Sequence, residues 1–137
     1  RICGGVAPLR VAAHLEDLLR IADRVLEGGV AVRDSGLLAS AVARPQMTVF
    51  GTDAYPTLHE KAAALLHSVV GNPALVDGNK RLGLASVIAF LGINGWRLTM
   101  TNDAAYDLVI AVAAGDVDDI GLIAQALATG SRRVERR

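Results

Sequence analysis

Cysteine is nearly absent from this 137-residue sequence: Cys3 stands alone. No intrachain disulfide can form, and a reducing, cytoplasmic address is the natural expectation. With no patterned basic neighbourhood beyond Arg1, Cys3 reads as inert. An excess of either charge is missing too. Fourteen Lys and Arg balance fourteen Asp and Glu, so no global positive field points to DNA or RNA, and only a local patch stays open. Aromatics make up 4%, and Trp96 and Phe90 read as core or groove residues rather than a nucleobase stack. The longest uncharged run, Leu82 to Trp96, contains Ser86, Gly92, Asn94 and Gly95 and falls short of the roughly 20 residues that span a bilayer. Residues 1–13 lack the sustained apolar segment of a signal peptide. No Walker-type Gly-x4-Gly-Lys-Ser/Thr occurs, which argues against an ordinary P-loop ATPase.

What is present is apolar. Hydrophobic residues reach 52% and charged ones only 20%, enough for one domain burying roughly two thirds of its chain surface. Residues 1–14 show no period and are expected to be an atypical N-terminal segment: a trimmed or engineered end, a short strand or a tail. From Leu15 a helical stripe runs through Leu18, Leu19, Ala22, Val25 and Leu26, and Gly28-Gly29 should stop it. Asp34 or Ser35 can cap a second helix that Pro45 ends. Met47 to Phe50 has β-type residues and could form one arm of a small hairpin or flap. Pro56 or Thr57 starts a third helix through Val69 to about Val70, broken by Gly71-Asn72-Pro73. After a fourth helix, Trp96 to Met100 reads as an extended link. Thr101 or Asn102 caps a fifth helix that Gly115 ends. Asp116 to Asp119 caps a sixth, Ile120 to Ala128; these acids lack the Gly and terminal Glu of a calcium loop. Residues 131–137, with Arg132, Arg133, Arg136 and Arg137, read as a basic solvated tail. The expectation is a compact all-α, six-helix domain over residues 15–130 around a central buried helix.

That central helix is the fourth, entered through Asp77-Gly78-Asn79-Lys80-Arg81. Asp-Gly is a turn signal and Asn79 a good helix-starting residue, so a merely structural turn is the first explanation. The helix then runs apolar almost all the way round through Leu82, Leu84, Val87, Ile88, Phe90, Leu91 and Ile93. Its two charges, Lys80 and Arg81, fall in the first turn, where the helix already presents partial positive charge and open N–H groups. Each should cost about 0.3–1 kcal/mol there. A bound anion such as phosphate, approaching the backbone at Gly78, accounts for both.

Leu75-Val76-Asp77-Gly78-Asn79-Lys80-Arg81 resembles the signature of the Fic/Doc proteins, and Asp-Gly-Asn-Lys-Arg resembles the Doc (death on curing) branch in particular. Leu15 to Leu19, Ala43-Arg44-Pro45-Gln46, Tyr55-Pro56-Thr57-Leu58, Lys61-Ala62-Ala63, Phe90-Leu91 and Asn94-Gly95 are similar in type and order. The resemblance implies a six-helix Fic/Doc fold and a bacterial toxin of a toxin–antitoxin pair. It implies ATP and Mg2+ as cofactors and phosphorylation of a hydroxyl on a protein target, translation elongation factor Tu. It also implies a Phd-like antitoxin that blocks the toxin with a C-terminal segment, so that nucleic acid is met only through the antitoxin. By motif position, Asp77 would orient the target hydroxyl or help hold Mg2+. Gly78 and Asn79 would form an anion hole, and Lys80 and Arg81 would grip the ATP phosphates.

One position departs from the signature. The His expected four residues before the Asp is Pro73, which has no group to take a proton. Losing a general base typically costs about 10²–10⁴-fold in rate, although positioning and electrostatics dominate phosphoryl transfer. The expectation is nucleotide or phosphate binding with impaired transfer. The alternatives are a catalytically degenerate module that only binds an antitoxin, and a Fic-type nucleotidyl (AMP) transferase. His59 and His67 lie eight apart, not at the metal spacing of four, and read as ordinary histidines. His67 precedes the motif by too many residues to replace the base without a rearranged loop.

Overall fold

A computed structural model describes residues 15–26 and 30–134. The N-terminal segment with Cys3, the helix stop at Gly28-Gly29 and residues 135–137 lie outside the described residues. The described elements are helices α1 (Leu15–Val25), α2 (Ser35–Ala43), α3 (Leu58–Gly71), α4 (Asn79–Ile93), α5 (Asn102–Ala113) and α6 (Ile120–Thr129), with a 3-10 turn at Arg44–Gln46. Strands β1 (Thr48–Val49) and β2 (Thr52–Asp53) form one antiparallel pair, and β3 (Trp96–Leu98) and β4 (Ser131–Arg133) another. This is the expected mostly-α fold with a small β flap. Among the described residues no helix is long and apolar enough to cross a membrane.

Side chains fix most helix starts. Asp34 accepts from Leu37 N at 3.2 Å, and Thr101 from Ala104 N at 3.1 Å. Asp119 accepts from Gly121 N and Leu122 N. Thr57 and Glu60 form a reciprocal capping box, which satisfies two otherwise orphaned donors. The flap closes through Phe50 and Gly51, both at positive φ, as a two-residue mirror-image turn requires. It is pinned to α3 by the buried Lys61, whose Nζ donates to Asp53 at 3.2 Å and to the Pro45 carbonyl at 3.3 Å.

The centre is shared by two helices. In α3 every residue from Lys61 to Leu66 is buried, as are Ser68, Val69 and Val70. α4 lays Leu82, Gly83, Ser86, Val87, Phe90 and Leu91 inward, while Ile88 and Ile93 stay about half exposed. α4 is thus less enclosed than its all-round apolar sequence suggests. The two helices meet at Gly83, where an added Cβ would lie 2.5 Å from Val70 Cγ1. The extended link after α4 is β3. What read as a solvated tail begins instead as its partner strand, with Trp96 opposite Arg133, Arg97 opposite Arg132 and Leu98 opposite Ser131.

Candidate anion and nucleotide site

The motif is carried on a loop held almost entirely through its main chain. Residues 31–34 run antiparallel to it. Arg33 N and Asp34 N donate to the Ala74 carbonyl at 2.7 and 3.0 Å, and Val76 N donates to the Ala31 carbonyl at 2.9 Å. Asn79 grips the same loop from the other side: its Oδ1 accepts from Leu75 N at 3.0 Å and its Nδ2 donates to the Leu75 carbonyl at 3.1 Å. Expected as a helix-starting residue, Asn79 is the first residue of α4, and its side-chain amide is held on Leu75. Its part at the mouth is its backbone N–H.

Gly78 takes the cap position at φ 89°, with no side-chain cap. A Cβ here would sit 2.5 Å from Leu26 Cδ2. Glycine is therefore demanded by the left-handed turn and by close packing on Leu26, a reason closer to hand than ligand approach. Leu82 N bonds back to the Gly78 carbonyl, leaving the N–H groups ahead of it open. Asp77 Oδ1 accepts from Gly78 N at 2.9 Å, and its second oxygen has no partner among the described residues. Asp77, Lys80, Arg81 and Pro73 are all exposed. No ion pair neutralises Lys80 or Arg81 among the described residues. Whereas α2, α3, α5 and α6 begin under a side-chain cap, α4 begins uncapped with two free cations. Such an end attracts a multivalent anion, and the neighbouring carboxylate can share a divalent cation with it.

Comparison with known proteins identifies the family of the fold. The family model described as Fic/DOC family matches residues 12–91. The chain belongs to that family. It is also 52% identical over 105 residues to a protein named Toxin Doc from Mycolicibacterium smegmatis, a match covering 75% of this chain and 81% of the relative. Within Fic/Doc the chain therefore stands with the Doc toxins.

Two features of this Fic/Doc domain were not legible as functional neighbours of the motif. Arg44 ties three elements together: Nε donates to the Tyr55 hydroxyl at 3.0 Å, and Nη1 contacts His67 Nδ1 at 2.7 Å and Ser68 Oγ at 3.0 Å. His67 Nε2 meets Asp118 at 2.7 Å. With a guanidinium donating to Nδ1, the ring accepts there and donates from Nε2. Both nitrogens are occupied, so His67 does not stand in for the absent base. The second feature is a cleft of about 420 Å3 between α1 and α4. Leu18, Ile21, Phe90 and Ile93 line its walls, and Arg20 and Arg24 stand on the α1 side. The amphipathic stripe of α1 and the all-round apolar α4 could have suggested it; their juxtaposition could not be read locally. His59 is used elsewhere, against Ser131 Oγ at 2.9 Å and edge-on to Trp96.

Proposed function

We propose that this domain is the toxin of a toxin–antitoxin pair, acting in the cytoplasm by binding ATP at the mouth of α4 and transferring phosphate to a protein hydroxyl. One observation carries the reading: α4 starts without a side-chain cap, and among the described residues Lys80 and Arg81, close in sequence to Asp77, have no ion-pair partner. Lys80, Arg81 and the open N–H groups of the first turn hold phosphate oxygens. Asp77 orients the target hydroxyl and offers one carboxylate to magnesium, which takes one or two carboxylates together with substrate phosphates. When bound, Mg·ATP supplies the phosphoryl group and the charge neutralisation. The resemblance names elongation factor Tu as target and a Phd-type antitoxin as partner. The apolar cleft between α1 and α4 suits the apolar face of an amphipathic segment; at its rim Arg20 is paired with Asp17 at 3.5 Å, and Arg24 can meet an acidic residue.

Pro73 favours a second reading. At the position where the family has its base, this chain has no proton acceptor, so transfer is slow and binding of the antitoxin is what remains. By resemblance, Lys80 favours the phosphoryl pose over nucleotidyl transfer. Thermal melts with Mg·ATP and labelled transfer to extract separate these. Nucleotide at 100 Kd should stabilise the domain by about 2.7 kcal/mol, and Arg81→Ala should remove most of that. Pro73→His should raise transfer by about 10²–10⁴-fold. An unchanged melt with Mg·ATP sinks the nucleotide reading; rapid transfer by the unaltered chain sinks the impaired one.

A further inference from the structure

The loop that carries position 73 is fixed group by group. The Ala74 carbonyl, both main-chain groups of Leu75 and Val76 N are taken by the 31–34 segment and by Asn79. The Pro73 carbonyl is held by a charged side chain from forty residues earlier: Arg33 Nη2 donates to it at 2.8 Å. With the Arg33 main-chain N–H on the next carbonyl, one residue grips two successive carbonyls. The peptide plane after position 73 is thereby set, and with it the direction in which the side chain at 73 leaves the backbone.

We infer that Arg33 is a positioning residue of the site, holding the main chain at position 73 and so fixing how the side chain there leaves the motif loop. The catalytic part of this inference rests on the proposed phosphoryl transfer. The grip itself acts only on main chain and is indifferent to the side chain it aims. Proline therefore removes the proton acceptor while leaving its mounting in place, and one substitution suffices to restore aim as well as chemistry.

The test uses the whole chain with Arg33→Ala, Arg33→Lys, Pro73→His and the two double variants. Without Arg33, amide exchange at Val76 and Asp34 should quicken about tenfold, the size of one charge-assisted hydrogen bond near the surface, while Leu65 in α3 keeps its protection. Lysine should restore most of the difference. In the Pro73→His background, Arg33→Ala should lower kcat about tenfold at unchanged KM for ATP, Arg33→Lys should stay within about threefold, and the pH profile should lose the limb of the introduced imidazole only with alanine. Exchange that quickens equally at Leu65, or Pro73→His activity indifferent to Arg33→Ala, overturns the inference. If Pro73→His transfers nothing, the phosphoryl reading and the aiming role fall together, and amide exchange at Val76 separately upholds or refutes the grip.

Discussion

Gly83→Ala should change the sign of its effect according to what stands at position 70. In the native chain the new Cβ would lie 2.5 Å from Val70 Cγ1 and 3.1 Å from Leu66 Cδ1. Valine is stiff at χ1 and cannot swing aside cheaply, so overpacking should cost about 1–3 kcal/mol. Replacing a mid-helix glycine returns about 0.8–1.0 kcal/mol of propensity, which leaves a net loss of roughly 0–2 kcal/mol. Val70→Ala alone removes two buried methyl groups and should cost about 1.5–3 kcal/mol. In that background the obstructing Cγ1 is gone. Leu66 Cδ1 at 3.1 Å, the end of a flexible side chain, then remains as the close neighbour and can shift into the vacated space, so the same Gly83→Ala should stabilise by up to about 1 kcal/mol. Urea unfolding of the four proteins, read by the far-ultraviolet helical signal, gives the coupling energy directly. An effect of Gly83→Ala that is equal in the two backgrounds, or a gain in the native chain, would refute the close crossing of α3 and α4.

Two further outcomes are expected. Burial holds His59 below its ordinary value of 6.5, so the unfolded chain takes up this proton more readily than the folded one. Stability attached to His59 is therefore intact above about pH 6.5 and falls as pH drops from there through the lower folded value. The urea midpoint should fall further between pH 7.5 and 5.5 in the native chain than in His59→Gln, with Trp96 fluorescence reporting the change from its edge-on contact. Equal slopes for the two proteins contradict this assignment. In the cleft between α1 and α4, Ile93 is half exposed, so Ile93→Asp should leave the fold nearly unchanged. If the antitoxin segment lies there, titration calorimetry should show binding weakened about tenfold or more, as the loss of one buried aliphatic anchor implies. Undiminished affinity moves the antitoxin to another surface.

The parts of this molecule that could be read from sequence are those whose causes lie within a few residues. Asp34, Thr57, Thr101 and Asp119 cap helices because a short side chain reaches an N–H two or three positions on. The flap is announced by the β-type residues Met47 to Phe50, and Lys80 and Arg81 are conspicuous because their cost depends only on their place in the first turn. The features that could not be read locally share the opposite property. Gly78 is bound to be glycine by Leu26, Asn79 spends its amide on the loop behind it, and Ser131 to Arg133 become a strand because Trp96 to Leu98 offers an edge.

Sequence by itself determined the helices, their starts and a cationic helix mouth with no proton acceptor at position 73, since each follows from local periodicity, local hydrogen bonding or the identity of one side chain. Tertiary structure alone decided that Arg33 reaches the Pro73 carbonyl, that Arg44 and Asp118 occupy both nitrogens of His67, and that α1 and α4 enclose a cleft. Those contacts join residues tens of positions apart, and only the packing of helices against one another brings such partners within bonding distance.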